Sequence, residues 1–188
     1  MDKNDYDKML SNIWVAVGSG NMMDDLPDLA KLCTVDSAKF MELFPSREKI
    51  VLALIEDIWS KLNLTAKSEK LTPRDQIFDA VMMAFDIVAP YRTGLKKLTH
   101  ALLMSPSTYI EIVPRLHKFG SDITDRYYSA SGIMGAAVAL TFNGVFATAY
   151  WTFLDDDTFD LSKTMASLDT SLKTASSLLS YCPGLEKI

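Results

Sequence analysis

The 188-residue sequence contains few of the residues from which disulfides, metal sites and catalytic centres are usually built. Its two cysteines, Cys33 and Cys182, lie far apart and share no metal-ligand spacing, which excludes a disulfide framework and argues against a zinc site. The two histidines, His100 and His117, fall on separate predicted helices and form no histidine–carboxylate metal spacing. A glycine-rich phosphate loop and a nucleophile elbow are also missing. We therefore expect a non-enzymatic protein, without catalytic residues, a metal or a catalytic cofactor.

Positive charge is scarce as well. The chain has 19 lysine and arginine residues against 24 aspartate and glutamate residues, and its net charge is −5. Residues 1–50 contain six basic and nine acidic residues, a net charge of −3. Because neutralised phosphates supply most of the non-specific affinity for DNA, this composition disfavours generic nucleic-acid binding. The acidic opening segment MDKNDYDK is unlike a signal or transit peptide and free thiols suit a reducing cytoplasm, so we expect a cytoplasmic protein.

The spacing of apolar residues and turn signals predicts an all-α protein. Prolines in first turns and small polar caps mark several of the helix starts. Outside the segment 25–45, the predicted helices are Asp5–Val17, Ser46 to about Ala66, Pro73–Val88, Tyr91–Met104, Ser105 towards Tyr128 with Pro114 as a candidate kink, Ile133–Leu154, and Leu161 to about Ser180.

An aspartate cluster, Asp155–Asp157 with Asp160, separates the last two predicted helices. A calcium-binding loop would need a central glycine and a terminal glutamate, which this segment lacks. We therefore interpret the cluster as a turn in which Asp160 caps the last helix.

Residues 25–50 have the layout of a helix-turn-helix. One face of a short first helix would be lined by Leu26, Leu29, Ala30 and Leu32. Asp36 or Ser37 can cap a second helix, Ser37–Leu43, because both side chains accept hydrogen bonds from backbone N–H groups. Ser46 can cap the longer helix that follows.

This segment resembles the N-terminal unit of TetR-family regulators. The matching residues are Leu29, Ala30, Val35, Phe44, Pro45, Ser46, Arg47, Glu48 and Ile50. The chain departs from the family pattern at Ala38 and Met41, where the family usually has a glycine and then a tyrosine that reaches a DNA phosphate.

The resemblance implies a TetR-like fold with a three-helix helix-turn-helix headpiece, residues 1–50, and a helical ligand-binding and dimerisation body, residues 51–188. It implies further that Lys39 would lie on the recognition helix, and that Lys31 and Arg47 would lie near DNA phosphates.

Between Arg126 and Asp155 the sequence carries no charge. So long an apolar stretch raises the question of a membrane span, although Asn143 and several threonines, glycines and serines dilute it. The alternative is a helix that is buried by the protein itself or by a partner subunit.

Aromatic and methionine side chains recur on the central predicted helices. They could line an apolar cavity, because methionine adapts to irregular guests, or they could fill an ordinary core. The candidate pocket residues are Phe78, Met82, Phe85, Leu102, Phe142 and Phe146.

The span Gln76–Leu172 resembles the C-terminal domain of the ubiquinone-biosynthesis accessory proteins of the Coq-nine family. The matching residues are Phe85, Asp86, Pro90, Tyr91, Arg92, Trp151, Leu154, Asp155, Asp156, Asp160, Thr164, Met165, Ala166, Leu168 and Asp169. That family has a TetR-like fold and binds lipid or isoprenoid in an apolar pocket without doing chemistry itself. The resemblance implies a bound lipid or isoprenoid quinone precursor and a hydroxylase partner in quinone biosynthesis.

The same resemblance has two implications for assembly. It implies a homodimer formed through the last two long helices, with Ala139, Phe146, Leu161, Leu168 and Leu172 as the dimer residues. Its second implication is peripheral contact with the inner membrane. Residues 181–188, however, are too few to form the additional membrane-docking helix of the mitochondrial members.

Two functions are therefore expected from the sequence. The leading hypothesis is a non-enzymatic lipid- or isoprenoid-binding accessory protein of ubiquinone biosynthesis with a degenerate DNA-binding headpiece. The alternative is a ligand-responsive, DNA-binding transcriptional regulator of the TetR family. A membrane-embedded protein is a third, less favoured class.

Overall fold

The computed structural model describes residues 3–23, 25–62, 71–127 and 132–181. Within these ranges the chain forms ten α-helices and two short 3-10 turns, with no β-strand. The helices are α1 Lys3–Ser19, α2 Leu26–Leu32, α3 Ser37–Leu43, α4 Arg47–Lys61, α5 Pro73–Val88, α6 Arg92–Leu103, α7 Pro106–Glu111, α8 Val113–Tyr127, α9 Gly132–Asp155 and α10 Ser162–Leu179. The predicted all-α class is confirmed.

Helices α3 and α5 begin and end at the predicted residues. The helix predicted to start at Ser105 is instead two helices, α7 and α8, which are separated at Ile112. Pro114 does not kink a helix, because it lies in the first turn of α8, where its missing N–H would have had no helical partner.

Helix α4 ends at Lys61, and residues 63–66 of its predicted extension lie outside the described residues. Asp24, Tyr128 and the chain end from Cys182 also lie outside them. The predicted division of the chain at residue 50 falls inside α4, and it stays a prediction.

The chain separates into two compact units, of which the first contains residues 1–61 and 87–116. The indole of Trp14 on α1 contacts two other parts of this unit. The indole ring stacks on Tyr91 at a centroid distance of 4.9 Å, and its N–H donates to Oδ2 of Asp57 at 2.6 Å. One side chain therefore links α1 to α4 and to the segment that leads into α6.

Gly94 permits a close approach of α6 to α1 within this unit. A β-carbon at this position would collide with the backbone carbonyl oxygen of Val17, so only glycine fits the observed packing. The largest fully buried side chains of the unit include Met9, Ile13, Met22, Leu29, Phe40 and Ile50.

The second unit contains residues 62–86 and 117–188. Its centre is the pair α9 and α10, which pack along each other and bury Phe142, Phe153, Leu168 and Leu172. The ring of Phe85 on α5 stacks on that of Phe153, with centroids 4.9 Å apart.

The turn between α9 and α10 is organised by Asp156, which is only 1% exposed. Its Oδ2 accepts hydrogen bonds from the backbone N–H and the hydroxyl of Thr164, at 2.8 and 2.6 Å. Its Oδ1 accepts from the backbone N–H of Thr158 at 2.9 Å. Asp160, the predicted cap, accepts from the backbone N–H of Ser162 at 3.2 Å, so the start of α10 is bonded by two aspartates.

Candidate nucleic-acid interface and ligand sites

Helices α2 and α3 pack on each other around a small apolar core. Its buried residues are Leu29, Ala30, Cys33, Phe40 and Phe44. The rings of Phe40 and Phe44 meet edge to face, with centroids 5.3 Å apart. Asp36 caps α3, as predicted, because its Oδ2 accepts a hydrogen bond from the backbone N–H of Lys39 at 3.1 Å. The predicted helix-turn-helix is confirmed.

One residue of the predicted inner face of α2 is placed differently. Leu32 is 49% exposed, whereas Cys33 is 2% exposed and takes the inward position one turn after Leu29. The side-chain amide of Asn12 donates to the carbonyl oxygen of Cys33 at 3.2 Å and so joins the end of α2 to α1. Burial raises the pKa of the Cys33 thiol, which therefore stays protonated and unreactive at neutral pH.

Helix α3 presents a mixed surface to solvent. Its exposed residues are Ala38, Lys39, Met41, Glu42 and Leu43. The surface combines one cation, one carboxylate and three apolar side chains. These are groups that can contact base edges and thymine methyl groups in a major groove, but the surface carries no excess of positive charge.

The three predicted DNA contacts are all in the first unit, in different environments. Lys39 is exposed on α3, and Arg47 is half-buried in the first turn of α4. Lys31 is exposed on α2, but its ammonium group lies 2.7 Å from Oδ1 of Asp28. That hydrogen bond raises the pKa of Lys31 and partly neutralises the charge that a phosphate would meet. Their roles in DNA binding stay predictions.

Exposed carboxylates surround this helix-turn-helix. They are Asp25, Asp28, Asp36 and Glu42. Each of them opposes the approach of a phosphate backbone, so any affinity for DNA must come from specific contacts more than from net charge.

A cavity of about 320 Å³ opens in the first unit, between the starts of α2 and α4 and the end of α6. Its apolar lining residues are Leu26, Ala101 and Leu102, and its polar lining residues are Asp25, Arg47, Glu48 and Ser105.

The carboxylate of Glu48 is held in place by hydroxyl groups. Glu48 accepts a hydrogen bond from Ser107, whose hydroxyl lies 2.6 Å from that of Ser105. The hydrogen bond from Ser107 lowers the pKa of Glu48, so this carboxylate is charged at neutral pH. The sequence does not predict the hydrogen bond between Glu48 and Ser107, because the two residues are 59 positions apart in the chain.

The predicted apolar pocket is divided between the two units. Leu102 lines the cavity of the first unit. The other five predicted residues, Phe78, Met82, Phe85, Phe142 and Phe146, belong to the second unit. In the second unit, Phe85 and Phe142 are buried, and the ring centroids of Phe142 and Phe146 are 6.5 Å apart. These aromatic rings therefore fill part of the space that the predicted pocket would occupy. A pocket among those five residues stays a prediction.

Most of the predicted dimer residues are buried within the protomer. Leu161, Leu168 and Leu172 are 5%, 0% and 0% exposed, and Ala139 is 9% exposed, while Phe146 is half-buried. These residues hold α9, α10 and the turn before α10 together inside one protomer. The exposed residues of α9 are Gly132, Ile133, Ala136, Ala137, Leu140, Gly144, Ala147, Thr148, Trp151 and Asp155.

Among the described residues, α9 is long and apolar enough to cross a membrane by length and composition alone. The face of α9 opposite its exposed residues is buried within the protein and includes Val138, Phe142, Val145 and Phe153. Within the described ranges, no three His, Cys, Asp or Glu side chains are grouped so that they could hold a metal ion.

A helix-turn-helix near the N-terminus, followed by further helices and a long final helix pair, defines the TetR-like fold. Two solved structures share this fold with the chain. A TetR transcriptional regulator from Nitrosomonas europaea ATCC 19718 superposes with a TM-score of 0.73 and 16% identity, over 94% of this chain and 99% of that one. A TetR transcriptional regulator from Rhodococcus sp. RHA1 superposes with a TM-score of 0.67 and 10% identity, over 98% and 99%.

No family model matches the chain, and no curated protein sequence is similar to it. The two identities are low, so the structural similarity establishes the fold and not the function. The predicted TetR-like fold is confirmed. The resemblance to the Coq-nine family stays a prediction without support from these comparisons.

Proposed function

We propose that the chain is a cytoplasmic, ligand-responsive transcriptional regulator of the TetR type, and that α3 binds DNA. The observation that carries this proposal is the capped helix-turn-helix, in which α3 keeps its apolar side inward and presents Ala38, Lys39, Met41 and Glu42 to solvent. The two full-length structural neighbours, both described as TetR transcriptional regulators, support it. From the sequence alone, a regulator is the alternative hypothesis, and the lipid-binding accessory protein is the leading one.

The exposed groups suit distinct contacts in a major groove. The side chains of Ala38 and Met41 can lie against thymine methyl groups, and the carboxylate of Glu42 can accept a hydrogen bond from a cytosine amino group. Lys39 can reach a guanine edge or a phosphate. Lys31 and Arg47, on the helices that flank α3 in the chain, would position the unit on the backbone.

A gel-shift assay at low salt, with duplex DNA from the region upstream of the chain's own gene, tests this function. We expect a specific complex, and we expect Lys39→Ala to weaken it about fivefold or more. Lys173→Ala removes an equivalent exposed lysine from α10 in the second unit and should leave the affinity unchanged. Absence of a complex with the wild-type protein, or equal loss in both variants, would contradict the proposal.

We also propose that the regulator is a homodimer, and that the exposed face of α9 forms its interface. From Ile133 to Trp151 this face is uncharged, and most of its residues are small and permit close helix packing. A second copy presenting the same face would cover it through a two-fold axis.

A second candidate function rests on the acidic surface around α3. The carboxylates of Asp25, Asp28, Asp36 and Glu42 favour a helix-turn-helix that has lost DNA binding, as expected for an accessory protein that carries a lipid or isoprenoid quinone precursor to a hydroxylase. Organic-solvent extraction of the purified protein, followed by mass spectrometry, tests it. A stoichiometric isoprenoid together with a failed gel shift would favour this candidate over the regulator.

A further inference from the structure

The cavity in the first unit is half open to solvent and combines apolar with charged lining residues. Its volume of about 320 Å³ lies at the lower end of the range of roughly 300–1,000 Å³ for small-molecule pockets, so it suits a compact ligand. It lies in the same unit as the helix-turn-helix, and not among the five second-unit residues of the predicted pocket.

The charges of the lining determine which kind of ligand fits. Two carboxylates, Asp25 and Glu48, and one guanidinium, Arg47, line the cavity, which leaves one negative charge in excess. The hydroxyl group of Ser107 donates a hydrogen bond to the Glu48 carboxylate and lowers its pKa, so that the carboxylate is ionised at neutral pH.

Apart from Ser105, the remaining residues of the lining are apolar. They are Leu26 from the start of α2 and Ala101 and Leu102 from the end of α6. A ligand that satisfies both kinds of residue carries a positive charge at one end and a small hydrophobic group at the other.

We propose that this cavity binds a small organic ammonium ion, with its ammonium group at Glu48 and its hydrophobic group against Leu26, Ala101 and Leu102. Such a ligand touches the first residue of α2 as well as α6, so it stabilises one position of the helix-turn-helix relative to α6. Its effect on DNA binding rests on the proposed function, whereas the binding itself does not. By linkage, a ligand that changes the affinity for DNA has its own affinity changed by the same factor.

Benzylamine and benzoate are matched probes, because they have similar size and opposite charge at neutral pH. We expect the full-length protein to bind benzylamine saturably in isothermal titration calorimetry and to bind benzoate at least tenfold more weakly. Glu48→Gln should weaken benzylamine binding about tenfold, because it removes the charge of the carboxylate that accepts hydrogen bonds from the ammonium group. The control Glu42→Gln, on the exposed surface of α3, should leave binding unchanged.

Absence of benzylamine binding, equal binding of benzoate, or an unchanged affinity in Glu48→Gln would overturn the proposal. If Glu48→Gln does not fold by circular dichroism, Ala101→Leu provides a second variant, since it enlarges an apolar lining residue and should also prevent binding. A protein that binds benzylamine but no DNA would contradict the regulator and retain this site. A protein that binds DNA but no benzylamine would contradict this site and retain the regulator.

Discussion

Asp156 is a buried carboxylate whose charge is stabilised by hydrogen bonds from Thr158 and Thr164. Burial by itself would raise its pKa, but the hydrogen bonds from Thr158 and Thr164 outweigh that effect and hold the pKa well below its usual range. The carboxylate therefore stays ionised while it joins the last residues of the turn to the first turn of α10.

We expect Asp156→Ala to lower the free energy of unfolding by about 2 kcal/mol, since it removes a helix cap and leaves buried donors without a partner. Chemical denaturation at pH 7 measures the change. Asp157→Ala is the matched control, because Asp157 is exposed and its carboxylate forms an ion pair with Lys163 at the surface. An equal loss in the two variants would show that the capping network does not stabilise the protein.

The effect of Asp156 should depend on pH in a defined direction. Its pKa is lower in the folded than in the unfolded protein, so its stabilising contribution is fully present above the unfolded-state pKa of about 4. The contribution is lost as the pH falls from there through the folded-state pKa. The difference in stability between wild type and Asp156→Ala should therefore be constant near neutral pH and decrease in acid.

Helix α9 has two different faces, and its one charged residue is Asp155 at its last position. One face, with Val138, Phe142 and Phe153, is buried within the protomer. The other, which includes Leu140 at 69% and Ile133 at 92% exposure, is uncovered in the protomer. An exposed apolar face of this length usually marks an interaction surface.

We expect Ala147→Arg, which places a charge in the middle of that exposed face, to convert the proposed dimer into a monomer, because an unpaired buried cation is costly. Size-exclusion chromatography with light scattering measures the molar mass. Ser60→Arg adds the same charge at an exposed position of α4 and should leave the dimer intact. A dimer that survives Ala147→Arg would place the interface elsewhere.

At the scale of the whole molecule, a net charge of −5 limits attraction to any polyanion. If α3 binds DNA, removing a nearby carboxylate should strengthen the complex. We expect Glu42→Gln to raise the affinity for non-cognate DNA severalfold at low salt, with a smaller gain at high salt because the repulsion is screened.

The control for that charge effect is Asp125→Asn, which removes an exposed carboxylate from α8 in the second unit. Fluorescence anisotropy with a labelled non-cognate duplex measures both variants over a salt series. Equal gains in the two variants would attribute the effect to net charge alone and not to the surface of α3.

Local patterns in the sequence were enough to predict most helices and the helix-turn-helix. The start of α3 followed from its cap, Asp36. The start of α5 followed from a proline in its first turn, Pro73. Apolar spacing identified Leu29 and Ala30 as inward residues of α2, but it included the exposed Leu32 and did not identify the buried Cys33. These features depend on residues within one or two turns of each other, which a sequence displays directly.

The tertiary structure decided which distant residues meet. It brought Glu48 to Ser107 and Gly94 to Val17, and it formed a cavity from three separate segments of the first unit. It also decided which face of α9 is covered within the protomer and which face is exposed. Periodicity states that a helix has an apolar side, but only long-range packing determines what lies against that side.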